Sequence, residues 1–474
     1  WLQVLMMVTG FVLLIVCANV ANLMLVRGLE RRREISLSMA LGARALRIVR
    51  EALTESVLFS VVGGAAGVAI AFFGARFILQ FAFPRIGDLG GIPIDASPSL
   101  PVLLFACGIS ALAGIVFGSA PAWMATRVDP IEALRGSGRS TAHASSVPRK
   151  ALVVLQVGLS FVLLSASGLL TAALRGLENQ DFGFDQNRRI VARINPRLAG
   201  YRMDQLTPLY QRIHESISAI PGVSAVALAK YSPLSGDTWG SGIRVDGHPP
   251  AGPREDNFAA LNRVTVGYLD VIGNKLLRGR AISGQDTASS RHVAVINEAF
   301  ARKFFRNEDP LGKHFTRDSL GPGQYEIVGI AKDARHLPWG LDKPIGPMFF
   351  LPEPQHDFRP SGDPGEVGAG SHFLSDIVMV TQPGANLTVG QVRQALGSVD
   401  PNLPIIVMGT LKDQVAGQFI QQRLIARLTS FFGILSLILA SIGLYGVIAH
   451  NASRRVSEIG VRVALGASRR DVIR

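Results

Sequence analysis

Long apolar stretches alternate with one long stretch of mixed character along the chain. Five stretches stay apolar on all faces for about 20 residues or more, the length that a helix needs to cross a bilayer. They lie at 2–26, 52–83, 101–125, 151–174 and 425–450. Helices of a soluble core rarely stay apolar on every face over such a length. The pattern therefore predicts five membrane spans rather than buried helices of a soluble protein.

The stretch between the fourth and fifth spans has the pattern of a soluble α+β domain. Strands are predicted at 190–194, 223–229, 293–296, 325–331, 347–351, 376–381 and 404–408, and helices at 205–219, 297–305 and 389–398. The β-α-β pieces at the two ends indicate one sub-domain built from both, with 234–371 inserted as a second lobe. The predicted fold class is a membrane α-helical protein with an α+β domain of two lobes.

Charge orients the predicted spans. The segments 27–51, 127–150 and 450–474 carry a net charge of +11 out of +13 for the whole chain. Because basic loops stay in the cytosol, these three segments face inward and 175–424 lies outside. The basic surplus then indicates contact with anionic lipid, and its position beside the spans argues against a nucleic-acid partner. We expect a multi-pass protein of the inner membrane with a periplasmic domain.

Composition agrees with this arrangement and limits the chemistry. Hydrophobic residues make up 48% of the 474 residues and charged residues only 18%, which suits a membrane protein with a soluble domain. The two cysteines, Cys17 and Cys107, lie in apolar stretches, so no disulfide framework is expected outside. We interpret both Trp1 and Arg474 as cut ends, so residues beyond them are missing from the sequence.

No motif of an enzyme, metal site or cofactor site is recognised. Gly312-Lys313 is not preceded by the glycine of a phosphate-binding loop, and 136–140 is interpreted as a flexible linker. The exported histidines have no metal-ligand spacing, and no nucleophile motif is present. We expect no catalytic residue, no metal and no cofactor, and therefore no enzyme activity in this chain.

An internal repeat is the most informative feature. Residues 31–43 read RRREISLSMALGA and residues 455–467 read RVSEIGVRVALGA, so an offset of 424 aligns two copies, each directly after an apolar span. Each copy is predicted to form a short amphipathic helix at the cytosolic surface, either as a lipid anchor or as a docking element for a partner. Because both copies share the same residues, we favour a docking element. The proposed docking residues are Glu34, Ile35 and Gly42 and their counterparts Glu458, Ile459 and Gly466.

These segments resemble a known family. CANVANLMLVRGLERRREISLSMALGA at 17–43 and VDPIEALR at 128–135 are similar to the FtsX-like permease domain. YLDVIGNKLLRGR at 268–280 and VAVINEAFARKFF at 293–305 are similar to the MacB-like periplasmic core domain. The order of the domains resembles duplicated orphan permeases of acidobacterial type. The resemblance implies a permease domain at 1–135, a linker at 136–150, a span at 151–174, a periplasmic core domain at 175–424 and the start of a second permease domain at 425–474.

The resemblance also implies a function. Members of this family couple a cytosolic ABC ATPase to motion of the periplasmic domain, for export or for mechanotransmission, and the ATPase docks on the repeated cytosolic helix. An outer-membrane or periplasmic partner is possible on the other side. The alternatives are an FtsX-like regulator of a periplasmic enzyme or signalling partner, and an orphan scaffold without an ATPase. The substrate and the oligomeric state do not follow from the sequence.

Overall fold

The computed structural model describes residues 2–30, 45–82, 99–126, 146–247, 256–306, 308–317, 324–337, 341, 343–356 and 369–464. Its elements follow in the order α1 (Leu2–Glu30), α2 (Ala45–Ala82), α3 (Leu100–Thr126), α4 (Ser146–Glu178), β1 (Arg189–Ile194), α5 (Leu206–Ser218), β2 (Val223–Ala229), β3 (Gly240–Val245), β4 (Phe258–Val264), α6 (Tyr268–Ile272), β5 (Leu276–Gly279), β6 (Val293–Asn297), α7 (Glu298–Phe304), β7 (His314–Arg317), β8 (Tyr325–Ala331), β9 (Met348–Pro352), β10 (Asp376–Thr381), α8 (Val389–Val399), β11 (Ile405–Thr410), α9 (Leu411–Gly417) and α10 (Ile420–Ala464). Two compact units result, one of long apolar helices and one, mainly Arg175–Ile420, that holds the strands.

The helical unit contains every predicted span. Four of the five apolar stretches fall within α1, α3, α4 and α10, and the stretch 52–83 coincides with α2 up to Ala82. Three of these helices are long and apolar enough to cross a membrane in the described residues, over Val57–Gly74, Ala151–Glu178 and Ile420–Gly446. The apolar parts described in α1 and α3 are shorter, Met6–Ala21 and Leu100–Leu112. Three helices are therefore candidate membrane spans by length and composition, and the count of five stays a prediction.

One end of the exported sheet is a split β-α-β arrangement built from both ends of the domain. Its strand order is β11-β1-β10-β2, and all of its neighbours are antiparallel. The helices α5 and α8 cross between these strands and pack on the sheet. In α5 the buried positions recur at helical spacing, as Leu206, Leu209, Ile213 and Ile217. A capping box at Thr388 starts α8, since its hydroxyl accepts from the Gln391 amide.

The middle of the exported domain closes six strands into a ring. The pairings run β4-β3-β7-β8-β6-β9, and β9 returns to β4 in parallel. Alternate side chains fill the inside of the ring together with the aromatic rings of α7, because successive side chains of a strand point to opposite faces. Phe300, Phe315 and Phe349 form the centre, with ring centroids 5.1–5.9 Å apart.

The two parts share one sheet but have separate hydrophobic clusters. The pair Ala229 and Val264 joins β2 to β4, so the eleven strands are connected. One cluster fills the split β-α-β part and the other fills the ring. The predicted strands and helices of this domain are all present, and the division into two lobes stays a prediction.

Candidate coupling site

The two chain segments that join the exported domain to membrane helices meet in one buried aromatic contact. Phe182 lies four residues after the end of α4, and Phe419 lies directly before the start of α10. Their ring centroids are 6.4 Å apart, and the residues are only 2% and 1% exposed. The segment that enters the domain and the segment that leaves it are therefore packed together within the exported unit.

A tight backbone turn and one ion pair fix the conformation of the segment after α4. Asp181 accepts from Lys332 Nζ at 2.7 Å and from the Gly183 amide at 2.8 Å. The hydrogen bond from Lys332 lowers the pKa of the Asp181 carboxyl. Gly183 has φ +76°, and a Cβ there would lie 2.2 Å from the carbonyl oxygen of Asp333. Only glycine satisfies both conditions, so this turn cannot relax by small backbone shifts.

The short helix α9 ties the other segment to the loop 232–234. Its first turn is capped by Thr410, whose hydroxyl accepts from the Asp413 amide at 3.0 Å. Gln414 Nε2 donates to Ser232 Oγ at 2.8 Å and to the Pro233 carbonyl at 2.7 Å. Gln418 Nε2 donates to a further loop carbonyl at 2.8 Å. Because α9 is followed at once by α10, the start of a membrane helix is fastened to this loop.

The loop itself is strained. Leu234 has φ +59°, a left-handed conformation that costs a branched side chain free energy. The Leu234 amide donates to the His336 carbonyl at 2.7 Å, and its own carbonyl accepts from Gln418. Hydrogen bonds from two other segments therefore hold this residue in its unfavourable conformation.

A buried carboxylate connects the same loop to the sheet. Asp376 has a fully buried side chain, and it accepts from Arg193 Nε at 2.8 Å and Nη2 at 3.2 Å. It also accepts from the Ser232 amide at 2.7 Å and the Ser232 hydroxyl at 2.6 Å. The hydrogen bond to Asp376 raises the pKa of Arg193, so the guanidinium stays charged. Four charge-assisted hydrogen bonds thus lock the loop against β1 and β10.

A buried histidine completes the site. His336 is 2% exposed and packs against Phe350 and Phe184, at centroid distances of 5.4 and 6.4 Å. Burial lowers its pKa to about 4, so the imidazole is neutral at pH 7. We call these residues the connector cluster: Phe182, Phe184, Arg193, Ser232, Leu234, His336, Asp376, Gln414, Gln418 and Phe419. The cluster joins the segment after α4, the loop 232–234, the sheet and α9 through buried rings and hydrogen bonds.

The predicted docking residues lie elsewhere in the chain. Glu34, Ile35, Gly42 and Gly466 fall outside the described residues. Glu458 and Ile459 lie in α10, whose backbone is helical without interruption from Ile420 to Ala464. The second cytosolic copy, up to Ala464, is therefore a direct continuation of the span rather than a separate short helix.

The sequence reading missed the connector cluster. Arg193 and Asp376 are 183 residues apart, and neither belongs to a motif. The edge-to-face contact of Phe182 and Phe419 has no sequence signal either. Within the described ranges, no group of three or more His, Cys, Asp or Glu side chains is placed to hold a metal ion.

Two family models match the chain. The FtsX-like permease C-terminal model matches residues 6–131, and the MacB-like periplasmic core domain model matches residues 151–399. The macrolide export ATP-binding/permease protein MacB of Syntrophobacter fumaroxidans is 42% identical over 117 residues, which are 25% of this chain and 15% of that protein. The protein of the same name from Escherichia coli O157:H7 is 41% identical over 134 residues, 28% of this chain and 19% of that protein. The chain thus spans less than a fifth of the length of these relatives.

Solved structures of exported domains are also similar. The periplasmic region of MacB from Actinobacillus actinomycetemcomitans aligns with a TM-score of 0.33 and 15% identity, over 51% of this chain and 96% of that one. The extracellular domain of the noncanonic ABC-type transporter YknZ from Gram-positive bacteria aligns with a TM-score of 0.26 and 19% identity, over 44% and 88%. Because the periplasmic core model alone covers more than half of the residues, the chain belongs to the MacB/FtsX-like family of ABC transporter permeases, which are membrane proteins with a periplasmic core domain.

Proposed function

We propose that this chain is a permease subunit of an ABC-type export or mechanotransmission system, in which a cytosolic ATPase drives motion of the periplasmic domain. The observation that supports this most directly is the continuity of α10. It has 45 residues. At about 1.5 Å per residue it is roughly 68 Å long, whereas the hydrocarbon core of a bilayer is about 30 Å thick. One helix can therefore carry a displacement across the membrane.

Both ends of α10 are suited to this role. Its first residue follows α9, which is fastened to the loop 232–234 by Gln414 and Gln418. Its last described turns carry Glu458 and Ile459, which the repeat identifies as the proposed ATPase-docking positions. A force on the cytosolic end would reach the connector cluster, and through Asp376 it would reach the centre of the sheet. The chain itself is proposed to hydrolyse no ATP.

The finer features of this proposal come from the sequence. They comprise five spans, a two-lobed exported domain at 175–424, permease domains at 1–135 and 425–474, and a linker at 136–150. An inner-membrane location, contact with anionic lipid and a periplasmic or outer-membrane partner belong to the same proposal. The names of the relatives refer to macrolide export, and export is therefore the form of transport that we propose.

The second candidate is an FtsX-like regulator, in which the same motion activates a periplasmic enzyme or signalling partner. The buried residues of the described spans fit both candidates and argue against ion-coupled transport. The buried polar residues there include Asn19, Gln156, Ser160 and Thr429. Among the side chains described in these spans, no Asp, Glu, Lys, Arg or His is buried. Ion-coupled pathways through a bundle usually need buried ionisable groups, which a purely mechanical device does not.

The experiment is affinity purification of the full-length protein from its native membranes, with and without ATP. We expect a cytosolic ABC ATPase to co-purify. Glu458→Lys should weaken its association about 30-fold or more, because a charge reversal in a partly desolvated contact costs roughly 2–5 kcal/mol. The matched control is Glu51→Lys, the same change at an exposed position in the first turns of α2. Normal association of Glu458→Lys would remove this segment from the proposed ATPase contact. A co-purified periplasmic hydrolase, in place of an outer-membrane channel, would select the regulator.

A further inference from the structure

The two copies of the repeated span pack against each other at equivalent positions. Extending the offset of 424 backward into the spans pairs Asn19 of α1 with Gly443 of α10. A Cβ placed on Gly443 would lie 2.9 Å from Asn19 Oδ1. A residue and its own repeat counterpart therefore face each other, which happens when two helices are related by a two-fold axis.

The rest of the contact follows the same relation. In α1 the buried or partly buried positions Val8, Val12, Ile15 and Asn19 are spaced by four, three and four residues. Their counterparts Phe432, Ser436, Leu439 and Gly443 are buried or partly buried in α10 with the same spacing. Val8, Val12 and Ile15 share one hydrophobic cluster with Phe432 and Leu439. Leu159 and Leu163 of α4 belong to the same cluster, so α4 packs along this contact. The spacing of four, three and four residues is that of a parallel coiled-coil seam, and the predicted topology also makes both spans run toward the cytosol.

The two copies differ most clearly at Asn19 and Gly443, where α4 contributes a polar side chain. Gln156 of α4 donates through Nε2 to Asn19 Oδ1 at 3.1 Å, and both residues are buried. A Cβ on Gly443 would also lie 3.0 Å from Gln156 Oε1. The space that a side chain at 443 would take is therefore used by the Asn19–Gln156 pair. Asn19 in one copy therefore faces a glycine, Gly443, in the other copy.

From these contacts we propose that the two permease copies of one chain pair with each other, and that Asn19 opposite Gly443 selects this pairing over pairing between chains. Two α1 helices would place Asn19 against Asn19 in a space that fits one side chain. Two α10 helices would leave a void at paired glycines. A lone asparagine in such a seam fixes register and partner choice, and a small residue permits close approach in a membrane. One chain then supplies both halves of the paired permease.

Cysteine cross-linking in membranes tests the pairing. The full-length chain with Cys17→Ala and Cys107→Ala receives Ile15→Cys and Leu439→Cys, two counterparts that line the seam. The matched control carries Leu14→Cys and Ile438→Cys, counterparts that are 52% and 51% exposed. A protease site inserted between the exposed residues Ala288 and Ser289 separates the two helices on a denaturing gel. After oxidation and proteolysis, we expect the variant with the seam pair to run at the mass of one chain, because the disulfide joins its two fragments. The control variant should run as two separate fragments. Cross-links at the mass of two chains, or equal yields for both pairs, would overturn the proposal.

The selective contact is tested by exchanging its two residues. Gly443→Asn should lose most of the intrachain disulfide, because its side chain overlaps Asn19 and Gln156. Combining it with Asn19→Gly should restore the yield. Gly446→Asn on the same helix, where a Cβ would meet no atom within 4 Å, controls for a new asparagine in the span. If the exchange fails to restore a yield that Gly446→Asn retains, partner selection by these two residues is wrong.

Discussion

Individual polar residues decide how the loop 232–234 and α9 are held to the sheet of the exported domain. Asp376 is the clearest example, because its buried carboxylate accepts from both Arg193 and Ser232. Without this carboxylate, the Arg193 guanidinium and the two donors of Ser232 would be left partly unsatisfied in the interior. The same residue joins β10, β1 and the loop that contacts α9.

We expect Asp376→Ala to destabilise the exported domain by roughly 3 kcal/mol. The value is at the lower end for a broken buried pair because Arg193 keeps some contact with water. The measurement is a urea titration of the purified chain in detergent, followed by pulse proteolysis. Asp309→Ala is the control, since Asp309 and Arg278 form an exposed pair that should change the midpoint far less. Equal midpoints for the two variants would show that the buried network is not stabilising.

His336 gives the exported domain a dependence on pH. Its folded pKa of about 4 is below the ordinary value of 6.5 because burial disfavours the imidazolium. The unfolded chain therefore takes up a proton as the pH falls from 6.5 to 4, while the folded chain does not. Stability should fall by about 3 kcal/mol over that interval. Glu353 acts in the opposite sense, since burial raises its pKa.

Comparison with His336→Leu isolates the histidine. The difference in unfolding free energy between the two proteins should change by about 3 kcal/mol between pH 7 and pH 4. The lowered pKa values of Asp181 and Asp286 act mainly below this window, because an unfolded aspartate titrates near 3.8. A constant difference across the window would mean that His336 is protonated without cost in the folded state.

At the scale of elements, sequence periodicity predicted some features and not others. The helices α5 and α8 and the strands β1, β2, β6, β8 and β10 follow from their apolar spacing. The strand β4 does not, because it carries Asn262 and Arg263, which are both fully buried. Asn262 bonds to the Tyr231 backbone, and Arg263 donates to the Pro352 carbonyl at 3.0 Å. Only these distant partners make burial of the two side chains acceptable, and sequence alone does not show them.

The helix α9 was not predicted either, although it is the element that fastens α10. Its position depends on Gln414 reaching Ser232, a residue 182 positions away. The connector cluster could therefore not be found from the sequence. Asn19, by contrast, could have been singled out, because the repeat aligns it with a glycine.

Loss of the Gln414 contacts should loosen this element without unfolding the domain. In Gln414→Leu we expect faster amide hydrogen exchange in 411–417 and 232–234, because two hydrogen bonds are removed and the local opening free energy falls by about 1–3 kcal/mol. The control is Lys412→Leu on the exposed side of the same helix. Unchanged exchange in both variants would show that α9 is held by its apolar residues alone.

At the scale of the whole molecule, the patterns of charge and hydropathy predict the division into membrane spans and an exported domain, without knowledge of individual contacts. The basic segments predict the orientation of the spans, and the family models match residues 6–131 and 151–399. The shape of the exported sheet, with its ring of six strands, lies beyond such patterns, because closure requires the parallel pairing of β4 and β9 across 88 residues, from Ala260 to Met348.

The topology can be checked by labelling single cysteines in spheroplasts with a membrane-impermeant thiol reagent. The native cysteines are first replaced. A cysteine at Ser289, exposed in the exported domain, should react, and one at Glu51, exposed in the first turns of α2, should not. Permeabilised cells should label both positions. Reaction at Glu51 in intact spheroplasts would reverse the proposed orientation.

The central claim is that α10 and α9 carry motion from a cytosolic ATPase to the exported domain. Hydrogen exchange of the full-length permease–ATPase complex, compared between the nucleotide-free and ATP-trapped states, tests it most directly. Amide protection in 411–417 and 231–236 should change with nucleotide, and this change should be lost in Glu458→Lys. The helix α7, buried against the ring, should keep the same protection in both states. Identical protection of 411–417 and 231–236 in the two nucleotide states would contradict the coupling mechanism.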